Sequence, residues 1–145
     1  MDNLIAKADT LLEALPYVQR FRGETFVIKY GGSFMDSTDS AVRGGVARDV
    51  VFIEAVGINP IIVHGGGKAI TRALEQAGVE TRFEQGYRVT TPKSVEVVEQ
   101  VLSREINPDI VGMINKLGGK ARGFSGTEIF RCKPFRPLGQ AAEPL

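Results

Sequence analysis

Two β-prone runs of this chain break into clustered glycine with a lysine close by: "VIKYGG" at 27–32 and "IIVHGGGK" at 61–68. Each run precedes a stretch with helical periodicity. The order strand, glycine turn, helix occurs twice within about fifty residues, which commits the chain to βα units. Successive βα units build a parallel sheet with helices on its faces. In such a sheet the strand-to-helix loops all leave from the carboxyl ends of the strands, where ligands bind. Glycine there turns backbone N–H groups outward, and the helix that follows adds the positive end of its dipole. The spacing therefore predicts two anion cradles that open on one sheet edge, suited to a phosphate and a second anion.

The rest of the chain fits around this frame. Residues 3–15 predict an amphipathic helix capped by Asp2 or Asn3, with Leu4, Ile5, Ala8, Leu11, Leu12 and Leu15 as one stripe. Pro16 is expected to kink or end it, with "YVQRFRG" as a second short helical piece. Residues 24–30 form the first strand. Caps at 37–40 start a helix through about Val56, with Val42, Val46, Val50 and Ile53 on one face. Gly44 and Gly45 inside that helix cost about 1 kcal/mol each relative to alanine, so close packing or a bend is expected there. "NPIIV" reads as a strand buried on both faces, followed by a helix over 67–77 that stops at Gly78. "TRFEQGYRVTT" suggests a hairpin or paired extended loop. Two further helices are expected, "TPKSVEVVEQVLSR" with a threonine cap and Pro92 in its first turn, and a proline-started "NPDIVGMINKLGG". "TEIFRCK" reads as a final strand, and the last dozen residues as a tail or severed connection.

Composition limits the function classes. The chain has 145 residues and a net charge of +1, enough for one domain with a core but without the basic excess that nucleic acid requires. No apolar stretch reaches the length of a membrane span. Cys132 is the only cysteine and no apolar leader follows the N-terminus, so a reducing cytoplasm is expected. His64 is the only histidine, so neither a zinc cluster nor a nucleophile triad is supported, and no metal site is expected. A Walker A loop fails because Ile62 stands at its first glycine and Ala69 follows Lys68. A dinucleotide fingerprint from Gly65 fails at Ile70.

Lysine next to each cradle sharpens the reading. Lys29 ends the first strand, where its ammonium can reach over the turn and stabilise charge in phosphoryl transfer; a solvated edge lysine is the bland alternative. Lys68 opens a helix whose N-terminus is already positive, and reads best as a surface lysine. Arg88, in "GYRVT", is either a bidentate carboxylate clamp or one half of a structural salt bridge. Ser33 and Ser125 sit in glycine turns, and Cys132 reads as an ordinary thiol.

Taken in order and at their spacing, "YVQRFRGETFVIKYGGSFM", "IIVHGGGKAI", "GYRVT" and "GGKARGFSG" resemble the N-acetylglutamate kinases of the amino acid kinase family, over about residues 10–130. The resemblance implies an α/β fold, a three-layer αβα sandwich with a mostly parallel open sheet, preceded by an N-terminal helix. It implies transfer of the ATP γ-phosphoryl group, with Mg2+, to the side-chain carboxylate of N-acetyl-L-glutamate in arginine biosynthesis. Lys29 is then the transition-state lysine, Gly31 and Gly32 belong to the phosphoryl cradle, Gly66 and Gly67 are backbone donors to the acylglutamate, and Arg88 is its carboxylate clamp. Ser33, Phe34 and Lys68 depart from the family, which usually has asparagine, alanine and proline there. The family is about twice this length, so residues 1–22 are expected to form a kinked oligomerisation helix, 23–133 the acylglutamate lobe, and 134–145 a tail leading towards a nucleotide lobe that this sequence does not contain. The same resemblance implies a homo-oligomer, a dimer or hexamer joined through the N-terminal helix. A non-catalytic module that binds an anion or assembles with other subunits is the alternative.

Overall fold

The computed structural model describes residues 2–31 and 40–131. The chain opens with α1 (Asp2–Phe21), then β1 (Thr25–Tyr30), α2 (Ser40–Ala55), β2 (Asn59–His64) and α3 (Gly67–Gln76). A short hairpin follows, β3 (Phe83–Glu84) and β4 (Tyr87–Arg88). The remainder is helical: α4 (Pro92–Glu99), a π-helical segment (Gln100–Ile106), α5 (Asn107–Lys116) and the single turn α6 (Gly126–Ile129). The α/β class, the parallel strands and the preceding N-terminal helix are as the sequence implies.

β1 and β2 pair in parallel from Thr25↔Asn59 to Tyr30↔His64. Their entry is fastened by backbone bonds, Gly23 N–H to Gly57 O at 2.7 Å and Asn59 N–H to Glu24 O at 2.8 Å. Gly57 ends α2 with a φ of +90°, and a β-carbon there would press on the Arg22 side chain at 3.1 Å. Only glycine serves that turn without strain.

Side chains alternate across the pair. Ile28, Tyr30 and Ile62 face α2 and α5, where Ala47, Val50, Ile110 and Ile114 complete one core. A second core joins Ile70 and Leu74 of α3 to Val101. Ile106 packs against both, so the π segment is the seam between them. The opposite sheet face is open: Val27 is 70%, Ile61 51% and Val63 45% exposed. Helices among the described residues cover one face of β2, whereas its sequence suggested burial on both.

Four further local expectations meet the structure as follows. α1 runs through Pro16 to Phe21. Proline leaves the Leu12 carbonyl without its helical donor, but this helix is exposed and water can take that role. Its far end is anchored by Phe21 against the Phe26 ring, 5.3 Å between centroids. Second, Pro108 lies in the first turn of α5 as expected, but α5 follows the π segment without a break. Asn107 N–H instead bonds Leu102 O, five residues back, and this wider turn lets the helix pass a residue that lacks an N–H. Third, Gly126–Ile129 forms a helical turn rather than a strand, because Ser125 and Glu128 make a reciprocal capping box. Fourth, a β-carbon at Gly44 or Gly45 would meet nothing among the described residues, so close packing against those residues does not explain them. Thr91 and Ser94 cap α4 reciprocally, with Pro92 in the first turn as expected. Among the described residues no helix is long and apolar enough to cross a membrane.

Candidate functional site

The register places both glycine turns on one edge. Lys29 lies opposite Val63 and Tyr30 opposite His64, so Gly31 and the Gly65–Gly67 loop leave the sheet side by side. Alternation puts exposed Lys29 on the open face and Tyr30 in the core. Gly32, Ser33 and Phe34 lie outside the described residues, as does Cys132.

Gly66 caps α3 and Gly67 is its first residue. The first helical bond runs from Ile70 N–H to Gly66 O at 2.8 Å, and the N–H groups of a helix's first turn have no partner within the helix. With the dipole, they favour an anion at this corner. Gly66 has extended φ, so its torsion does not demand glycine. What does is the π segment: a β-carbon at Gly66 would collide with Ile106 and lie 3.1 Å from Leu102. The cradle backbone thus rests directly on side chains of the helical seam. Among the described residues a β-carbon on Gly31 or Gly67 would meet nothing.

His64 supports the loop from behind. Its Nδ1 lies 3.3 Å from Gly65 O, and its Nε2 lies 3.2 Å from the Asn107 Nδ2 that donates to it. The same Asn107 amide donates to Phe124 O at 3.4 Å. A cavity of about 350 Å3 lies beyond His64, between β2, α5 and the 119–124 segment, and its lining is mostly apolar.

Arg88 stands on β4 and reaches back to α3. Its Nη2 donates to Thr71 Oγ1 at 2.9 Å and its Nη1 to Thr81 Oγ1 at 3.4 Å. The guanidinium lies 4.7 Å over the Phe83 ring, a cation–π contact. The hairpin that carries it turns through Gln85 and Gly86, with φ of 50° and 83°, the two positive values of a tight two-residue hairpin. Among the described residues the partners of Arg88 are hydroxyls and a ring, not the carboxylate of a structural salt bridge. Thr71 in turn donates to Gly67 O at 2.9 Å. The sequence reading missed Thr71. Its only signal was the four-residue spacing from Gly67 on one helix face, which a threonine at any exposed helical position shares.

Below the turns, burial raises the Tyr30 phenol above its ordinary value, Arg43 opposes this, and Asp109 adds to it. Among the described residues the hydroxyl of Tyr30 and Nε of Arg43 have no hydrogen-bond partner.

Residues 24–134 match the model of the amino acid kinase family. The acetylglutamate kinase of Akkermansia muciniphila is 51% identical over 142 residues, spanning 98% of this chain and 47% of that protein. That of Sphingopyxis alaskensis is 53% identical over 128 residues, 88% of this chain and 42% of that protein. The chain therefore spans about half the length of these curated relatives. Among solved structures, N-acetylglutamate synthase from Neisseria gonorrhoeae, complexed with coenzyme A and N-acetyl-glutamate, superposes with a TM-score of 0.57 at 20% identity, over 76% of this chain and 24% of that one. At that identity the likeness concerns the fold.

Proposed function

Because the chain belongs to the amino acid kinase family, we propose that it forms the acylglutamate-binding half of an acetylglutamate kinase. In the reaction a side-chain carboxylate oxygen of N-acetyl-L-glutamate attacks the γ-phosphorus of ATP, the bond to the β-phosphate bridge oxygen breaks, and ADP leaves. Little covalent chemistry is asked of the protein; position and charge do the work. Lys29 neutralises charge on the transferred phosphoryl group, and Gly31 with Gly32 cradles it. Gly66 and Gly67 supply N–H donors to the acylglutamate, and Arg88 holds its α-carboxylate. Residues 23–133 form this lobe. The nucleotide, and the Mg2+ that accompanies it, belong to the lobe beyond 134–145. Among the described residues no group of three His, Cys, Asp or Glu side chains could hold a metal ion.

The observation that carries this reading is the single edge shared by Lys29, Gly31 and the Gly65–Gly67 loop, with Arg88 fastened to the same loop through Thr71. A dicarboxylate with an acylated amine fits two cradles and a guanidinium. Titration with N-acetyl-L-glutamate tests it, with glutamate, aspartate and uridine monophosphate as controls. Selective binding that Arg88→Ala abolishes supports the reading. Equal binding of all four, or none to the folded chain, removes it for this chain.

The exposed Leu4, Leu11 and Leu12 of α1 support as second reading a non-catalytic module that binds the same anion or assembles with other subunits. ATP-dependent phosphorylation by this chain alone would exclude it. In either reading residues 1–22 join copies into a homo-oligomer, a dimer or hexamer, in the cytoplasm.

A further inference from the structure

We infer that Thr71 is a positioning residue that couples the Arg88 clamp to the Gly66–Gly67 cradle, so that the two ends of a bound acylglutamate are held at a set separation. The inference rests on the reading of Arg88 as a carboxylate clamp and concerns what holds it in place.

A threonine hydroxyl has one proton and two acceptor lone pairs. The proton of Thr71 goes to Gly67 O at 2.9 Å, so towards Arg88 the same oxygen can only accept. It does so at 2.9 Å from Nη2. Donor and acceptor roles are therefore unambiguous, and the two bonds polarise each other in the same direction. The carbonyl that Thr71 holds belongs to the residue whose N–H faces the cradle. Arg88 is half-buried, and the stacking on Phe83 fixes the plane of its guanidinium while Thr81 and Thr71 fix its rotation within that plane. Two of five N–H donors are used in this way, and the others remain for a carboxylate. An unrestrained arginine loses side-chain freedom when it binds; a restrained one has lost it already. Thr71 sits one helical turn past Gly67 and so touches both ends.

The test compares Thr71→Val, which keeps the shape and removes the hydroxyl, with Thr71→Ser, which restores it, beside wild type and Arg88→Ala. Binding of N-acetyl-L-glutamate is measured by calorimetry on the whole chain. Rotation of the Arg88 guanidinium about its Nε–Cζ bond is measured by nitrogen-15 NMR without ligand. The expected result is roughly tenfold weaker binding in Thr71→Val, near wild-type binding in Thr71→Ser, and unchanged melting in both. Guanidinium rotation should be slow in wild type and Thr71→Ser and fast in Thr71→Val. Rotation equally slow in Thr71→Val overturns the inference, and this readout holds even where no ligand binds. Arg88→Ala that weakens binding while Thr71→Val does not also overturns it. Arg88→Ala without effect removes the clamp itself, a failure of the functional reading rather than of the linkage.

Discussion

Gly66 lies against Ile106 so closely that a methyl group on its α-carbon would strike the Ile106 side chain, with Leu102 at 3.1 Å behind it. The site's backbone and the seam between the two cores therefore share one contact surface. Gly66→Ala should destabilise the chain by about 1–3 kcal/mol through overpacking, and displace the cradle. Ile106→Val removes the methyl group that Gly66→Ala would strike, so the double variant should recover part of the loss. Chemical denaturation of the two single variants and the double gives the coupling; strict additivity would mean that the contact does not matter.

Lys29 and Arg88 should separate binding from catalysis. Lys29 is exposed on the open sheet face, and its proposed role begins when charge builds on the phosphoryl group. Lys29→Met should leave N-acetyl-L-glutamate affinity within about threefold, because an interaction made only in the transition state contributes little to the ground state. Arg88→Ala should weaken it by tenfold or more, roughly what loss of a charge-assisted hydrogen bond costs. Calorimetric titration checks both, and a large loss in Lys29→Met would place the lysine on the ground-state substrate instead.

The frame was legible in the sequence wherever a local signal decided the local structure. Glycine after β1 and β2, the Thr91 cap with Pro92, and the Gln85–Gly86 turn each act within four residues of themselves. Proline was read only in part, because its effect depends on surroundings: Pro16 does not end a helix that stands open to water, and Pro108 starts α5 as expected but directly after a π turn. Ser125 with Glu128 outweighed the β-propensity of "EIF", a capping signal present in the sequence but read as strand. The Arg88–Thr71 contact joins a hairpin to a helix seventeen residues away, and no periodicity reports a contact of that kind.

Tyr30 gives a pH dependence. Its hydroxyl is buried without a partner among the described residues, and burial raises its pKa in the folded chain. A raised folded pKa means that the unfolded chain releases its proton first, so the stabilisation is complete below about pH 10 and is lost as pH rises beyond that value. Tyr30→Phe should remove this alkaline loss, and near neutral pH it should be neutral or slightly stabilising, since an unsatisfied hydroxyl costs about 1–3 kcal/mol. Denaturation at pH 7 and above pH 10 decides; an alkaline loss unchanged in Tyr30→Phe would assign it to other groups.

Leu74 and Leu11 should behave oppositely, though both are helical leucines. Leu74 is 1% exposed and packs with Val101 in the second core, whereas Leu11 is 68% exposed on α1. Leu74→Ala should cost about 2–5 kcal/mol by opening a cavity, seen as an earlier denaturation midpoint at any protein concentration. In an isolated monomer Leu11→Ser would change almost nothing. Leu4 is 71% and Leu12 65% exposed on the same helix, a run of apolar surface that a helix retains at little cost only when another surface covers it. If α1 joins copies of the chain, Leu11→Ser lowers the mass found by analytical ultracentrifugation, and any stability it loses grows with protein concentration in the comparison with wild type. An unchanged sedimentation profile would mean that α1 is not the element that joins them.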